Sequence, residues 1–130
     1  MEQDGLETRT RVLIVEDDPL AASCVEEYLS DSGYHVVGTA ASASAAFGLA
    51  EVHTLDIAIV DVQITGPMDG IEFACLLRQK YSVPSLFLSG DGSMETLHKA
   101  AAAQPIGFLV KPFRPSLVFN AIEEFIGSRR

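Results

Sequence analysis

Four sets of polar residues in this 130-residue chain each follow directly on a short apolar run: Glu16-Asp17-Asp18, Asp61, Ser89 and Lys111-Pro112. Carboxylates gathered at neighbouring strand ends repel one another, which raises their pKa values or recruits a cation. With carboxylate, carbonyl and water oxygens as the ligands on offer and no His or Cys nearby in sequence, the cation that fits is hard, Mg2+ with Mn2+ as its substitute, rather than zinc. A carboxylate is also a nucleophile, and aspartyl phosphate is a recognised covalent intermediate. Phosphoryl transfer needs positioning and the neutralisation of charge spread over the moving group's oxygens. Lys111 and a metal would neutralise; Ser89 would donate to a phosphoryl oxygen and move toward it once the group is attached. Every one of these residues also has an ordinary use. The acidic triplet can cap a helix, Asp61 can sit in a loop, and Ser89-Gly90 and Lys111-Pro112 can make turns. The chemical reading requires all four sets to lie along one edge of one sheet.

The elements between them meet that requirement. Val12–Val15, His35–Thr39, Asp56–Val60, Ser85–Leu88 and Ile106–Val110 are nearly continuous apolar runs, the pattern of strands buried on both faces. Between them lie helical segments. The first opens with Asp18 as N-cap and Pro19 at the first helical position, ends before Gly33, and has Leu20, Cys24, Val25 and Tyr28 as its expected inward stripe. The second runs from Ser42 to about His53, the third from Gly70 to about Lys80, and the fourth, with the weakest apolar stripe, from Ser93 to Ala103. In the fifth, Val118, Ala121, Ile122 and Phe125 recur at helical spacing. Five alternations of strand and helix predict right-handed crossovers and a three-layer (βα)5 doubly wound parallel sheet of the α/β class. Ligands of such sheets sit beyond the carboxyl ends of the strands.

Length and composition fit one domain, expected over 11–127, with a flexible N-terminal segment at 1–10, a tail at 128–130 and no room for an output domain. A net charge of −9 has the wrong sign for nucleic acid or anionic lipid. The N-terminus has no apolar run like a signal peptide, no stretch reaches the length of a membrane span, and Cys24 and Cys75 read as two reduced thiols in helices. A cytoplasmic protein is expected. His35, His53 and His98 are scattered and read as solvated surface residues.

Over about Arg11 to Ile126 the chain resembles the receiver domain of bacterial two-component response regulators. The matching residues are Val15-Glu16-Asp17-Asp18-Pro19, Asp61, Asp69-Gly70, Ser89 and Lys111-Pro112-Phe113, with 44 residues from Asp17 to Asp61, 28 on to Ser89 and 22 more to Lys111. The resemblance implies a flavodoxin-like sheet in the order 2-1-3-4-5. It implies that Asp61 accepts a phosphoryl group from a sensor histidine kinase or histidine phosphotransfer protein. It further implies that Asp17 binds Mg2+ directly, Glu16 mainly through water, and Asp61 and the main-chain carbonyl of Gln63 complete the protein ligands. Ser89 and Lys111 would contact the phosphoryl oxygens, the bond before Pro112 would be cis, and Phe108 would sit at the aromatic switch position. The chain departs from the family pattern in four places. The loop from Asp61 to Asp69-Gly70 is one residue longer and carries Thr65-Gly66-Pro67, Ser replaces Thr at 89, Phe replaces Tyr at 108, and Gln104-Pro105 interrupts the approach to the fifth strand.

The expected function is a stand-alone phosphorylation switch, in which the face formed by helix four, strand five and helix five changes partners. Leu117 and Phe119 are candidate contacts there for an unknown downstream protein or a second copy of the chain. Gln63 and Asp91, each two residues past a site residue, are candidate tuners of phosphate hydrolysis. The chain would catalyse only its own phosphorylation and slow dephosphorylation. A phosphohydrolase resembling the haloacid dehalogenases would carry an acid two residues after the nucleophile, where this chain has Gln63. Two further readings are a receiver-like docking module independent of phosphorylation and a receiver cut from a larger regulator.

Overall fold

A computed structural model describes residues 9–129. Residues 1–8 of the expected N-terminal segment and Arg130 of the expected tail lie outside the described residues. The strands are β1 (Arg11–Val15), β2 (His35–Ala40), β3 (Ile57–Asp61), β4 (Ser85–Ser89) and β5 (Gly107–Val110). The helices are α1 (Pro19–Asp31), α2 (Ala43–Val52), α3 (Gly70–Tyr81), α4 (Met94–Ala100) and α5 (Pro115–Ser128), with a 3-10 turn at Ala101–Ala103 after α4. All strand pairs are parallel, in the order β2-β1-β3-β4-β5. This is the expected flavodoxin-like sheet.

Successive strand side chains point to opposite faces, and both faces are dry. Leu13, Val15, Ala58, Val60 and Phe87 pack against Ala46 of α2 and Phe73 and Leu77 of α3. Val12, Ile14, Ile59, Leu86 and Leu88 pack against Val25 and Leu29 of α1 and Val118 and Ile122 of α5. Each fully buried aliphatic or aromatic side chain contributes about 1.5–3 kcal/mol, so these continuous runs cannot slide past one another without exposing a core face. The strand ends are therefore fixed relative to each other.

Helix starts follow the sequence closely. Asp18 caps α1 by accepting from Leu20 N, Ser42 caps α2, Ser93 caps α4, and Asp69 with Glu72 forms a capping box on α3. The inward stripe of α1 is a correction. The helix buries Ala22, Val25 and Leu29, while Leu20 is 78% exposed and Cys24 and Tyr28 also face solvent. At about 100° per residue, Leu20-Cys24-Tyr28 and Ala22-Val25-Leu29 form apolar stripes on broadly opposite sides; small Ala22 lets the helix approach the sheet, and this turns Leu20 outward. The fourth helix is also shorter than expected. It tightens into the 3-10 turn and stops at Gln104, whose φ of 50° is left-handed, as Pro105 disfavours a right-handed helical residue before it.

Candidate functional site

The carboxyl ends of β1, β3, β4 and β5 carry the polar residues. Glu16 follows β1 and its backbone N–H donates to Ala40 O at 2.8 Å, which ties it to the end of β2. Asp61 and Ser89 are the last residues of β3 and β4, and Lys111 follows β5, its N–H donating to Ser89 O at 2.8 Å. One carboxylate oxygen each of Glu16, Asp17 and Asp61 lies within 4.8 Å of the others. Glu16 and Asp61 are buried, at 5% and 2% exposure, whereas Asp17 is exposed.

Lys111 Nζ donates to Glu16 Oε1 at 3.0 Å and to Asp61 Oδ2. The remaining oxygens of both buried acids are also held. Asp18 N donates to Glu16 Oε2 at 3.1 Å and Gln63 N to Asp61 Oδ1 at 2.9 Å. Burial is the main cause that pushes the Glu16 carboxyl above its ordinary value, opposed by Lys111 and the Asp18 N–H and reinforced by Asp61. Burial by itself would lower Lys111, but its bonds to Asp61 and Glu16 outweigh this and the ammonium is held above its ordinary value. Lys111 faces Glu16 and Asp61, and Asp17 stands beside them without a cationic partner among the described residues, so carboxylates outnumber the ammonium in the cluster. This donor set, all oxygen and rich in carboxylate, fits a hard divalent cation.

Ser89 is fully buried. Its Oγ accepts from Asp91 N at 2.9 Å and donates to Gln63 Oε1 at 3.3 Å. Asp91 accepts from Ser93 N and Thr96 Oγ1, and chiefly the Thr96 bond holds its carboxyl below the ordinary value. The Lys111–Pro112 bond is cis. Phe108 is half-buried against Phe87, ring centroids 6.3 Å apart, with the cluster on the α2–α3 side of the sheet. Leu117 is 44% exposed, but Phe119 packs on Tyr34, with centroids 5.8 Å apart, across the α1 side of α5. Phe119 is therefore half-buried at the edge of the core on the α1 side.

Two residues of the site, Thr65 and Gly70, were given no role there by the sequence. Thr65 Oγ1 donates to Asp17 Oδ2 at 3.1 Å, from a loop that is turned by Gly66 at φ +104° and stitched to Ala41 O by Thr65 N at 3.3 Å. Gly70 lies so close under the acceptor that a Cβ there would stand 2.1 Å from Asp61 O. Its N–H donates to Val62 O at 2.8 Å and closes the loop. The lengthened loop at 65–67 and the Asp69-Gly70 pair were the cues to these contacts in the sequence.

A sequence profile described as the response regulator receiver domain matches residues 12–123. The chain belongs to this family. The transcriptional regulatory protein PdtaR of Mycobacterium tuberculosis is 36% identical over 113 residues, covering 87% of this chain and 55% of PdtaR. The heme response regulator HssR of Staphylococcus saprophyticus is 31% identical over 104 residues, covering 80% of this chain and 46% of HssR. The receiver domain thus spans about half the length of these relatives. Among solved structures, the signal receiver domain of a modulated diguanylate cyclase from Desulfovibrio desulfuricans superposes with a TM-score of 0.85 at 33% identity, over 92% of this chain and 95% of that one. The chemotaxis protein CheY4 of Vibrio cholerae gives 0.82 at 32%, over 90% and 98%. Receiver domains of this family work with histidine kinases and downstream targets and typically bind Mg2+, and the acidic cluster lies where such an ion would be held. No helix among the described residues is long and apolar enough to cross a membrane.

Proposed function

We propose that Asp61 of this receiver accepts a phosphoryl group from the phosphohistidine of a sensor kinase or phosphotransfer protein in the cytoplasm. The attacking Asp61 oxygen forms a bond to phosphorus as the phosphorus–nitrogen bond breaks and the imidazole leaves. The observation that carries this reading is the sharing of Lys111 between two buried carboxylates beside a third. Asp17 and Asp61 would hold Mg2+ directly, with Glu16 and the Gln63 carbonyl completing the protein side of the shell. The ion supplies charge neutralisation for the phosphoryl oxygens. Lys111 neutralises from the other side, and Ser89 donates to the attached group. The receiver acts on no outside substrate and reverses its own modification slowly, with Gln63 and Asp91 flanking the path of water. Its output is a changed contact at α4, β5 and Leu117 of α5, taken by a downstream protein or a second copy. The apolar stripe Leu20-Cys24-Tyr28 on α1 lies beside the site and supports a docking role for that face toward the phosphodonor.

Intact-mass analysis after incubation with acetyl phosphate and Mg2+ tests the reading. A single phosphoryl adduct is expected, lost with EDTA and lost in Asp61→Asn. No adduct under conditions that modify another receiver would leave a docking module in place of a switch.

A further inference from the structure

We infer that Thr65, carried by the lengthened β3–α3 loop, is a positioning residue for the divalent cation, acting through Asp17. The inference rests on the phosphorylation-site reading and adds to it a residue outside the ligand set. Each carboxylate of the cluster needs something to hold it at the ion, since an unrestrained side chain must give up rotamer freedom on binding. Glu16 is held by Asp18 N–H and Lys111, and Asp61 by Gln63 N–H and Lys111. Asp17 is exposed and reaches neither Lys111 nor a backbone N–H; among the described residues its one side-chain hydrogen bond is the 3.1 Å bond from Thr65 Oγ1 to Oδ2.

Thr65 is itself fixed by backbone. Its N–H donates to Ala41 O at 3.3 Å, it pairs in an isolated parallel bridge with Ser42, the N-cap of α2, and Gly66 at φ +104° followed by Pro67 turns the chain immediately after it. A hydroxyl anchored in this way engages Oδ2 and would orient the carboxylate toward a bound ion, the role that outer-shell donors play toward metal-bound carboxylates. The same contacts join Asp17 to the start of α2.

Mn2+ titration of the whole chain, with free Mn2+ counted by electron paramagnetic resonance and Mg2+ read by competition, tests the inference on Thr65→Val, Thr65→Ser and Asp17→Asn. Thr65→Val should weaken binding roughly tenfold, the low end for outer-shell partners because both groups are exposed, with an unchanged thermal midpoint. Thr65→Ser should restore it. In the unaltered chain, saturating Mg2+ should shift the amide resonances of Thr65, Ala41 and Ser42, and this readout stands even if the valine variant folds poorly. Unchanged or tighter binding in Thr65→Val, failure of serine to restore it, or silent amides at 41, 42 and 65 would overturn the inference while Asp17→Asn still loses the ion. If Asp17→Asn binds like the unaltered chain, the metal site itself is misassigned and the phosphorylation-site reading falls with it.

Discussion

Replacing Lys111 with Met keeps most of the side-chain stem and removes the charge between Glu16 and Asp61. The side chains of those two acids are 2% and 3% exposed, and that of Lys111 is 33% exposed. Leaving a buried ion without its partner costs about 3–5 kcal/mol, and partial hydration through the gap Lys111 occupies reduces this to about 2–3 kcal/mol. In urea, at an m-value of about 1–3 kcal/mol/M, the midpoint should fall by about 1–2 M in metal-free neutral buffer. The loss should depend on pH in a definite sense. Burial already holds Glu16 above its ordinary value, and removing Lys111 takes away the largest opposing cause. A carboxyl raised in the folded state contributes stability below its unfolded pKa and loses it as pH rises through the folded value, so the variant's deficit against the unaltered chain should be smallest in acid and grow as pH rises. Mg2+ should also repair it, because an ion bound only to the folded state adds about 2.7 kcal/mol at a hundred times its dissociation constant. Urea melts followed by circular dichroism, with and without Mg2+ and across pH, read all three effects. A loss under about 0.5 kcal/mol, or one indifferent to both pH and Mg2+, would refute the view that Lys111 holds two repelling buried acids together.

Gly70→Ala should cost about 2–3 kcal/mol in the same melts and slow acetyl-phosphate labelling, because the new Cβ meets the Asp61 carbonyl oxygen at 2.1 Å and a backbone atom cannot swing aside; an unperturbed variant would mean that the loop yields freely. Tyr34 is buried with its hydroxyl donating to Glu123, and burial, followed by that carboxylate, pushes its pKa well above the tyrosine range. The stability it adds is present below the unfolded value near 10 and is lost as pH rises through the folded one. Tyr34→Phe should therefore lower stability by about 1–2 kcal/mol at neutral pH and flatten the alkaline limb of the stability curve; a limb as steep as before would assign it to another group. Leu117→Ala should weaken self-association or partner binding of the phosphorylated form in sedimentation experiments with stability nearly unchanged, and equal association would remove this residue from the output surface.

The parts of the receiver that were legible in sequence are those written in local chemistry. Continuous runs such as Ile57–Val60 suit strands dry on both sides, and Asp18-Pro19, Ser42 and Ser93 mark helix starts by side-chain oxygens that fit the first free N–H groups. Once the strands are parallel, Glu16, Asp61, Ser89 and Lys111 must share an edge. What stayed illegible depends on contacts between distant segments. α1 carries two apolar stripes, and only the close approach of Ala22 to the sheet selects which one turns inward. Phe119 looks like an open position on α5 until Tyr34, from the start of β2, is seen to cover it. Thr65 is an unremarkable hydroxyl in a loop; its meaning comes from Ala41 and Asp17, more than twenty residues away.

The resting hydrogen bonds also indicate which group should move when Asp61 is modified. Phosphorylation turns a carboxylate of charge −1 into an acyl phosphate with about one more negative charge, and it removes an acceptor that Lys111 now uses. Lys111 keeps Glu16 Oε1 at 3.0 Å and gains phosphoryl oxygens close to the acceptor it lost, so it need move little. Ser89 is placed differently. Its hydroxyl is fully buried, yet its only donated bond is a long 3.3 Å contact to the neutral amide oxygen of Gln63. A charge-assisted bond to a phosphoryl oxygen is about twice as strong as a neutral one, so the exchange favours rotation of Ser89 away from Gln63. Gln63 would then lose the partner that holds its side chain, while its N–H, which donates to Asp61 at 2.9 Å in the resting state, keeps the residue beside the acyl phosphate. Phosphorylation would thus free the Gln63 amide next to the bond that water must attack, which is why the residue two places after the acceptor is expected to set how long the phosphate lasts.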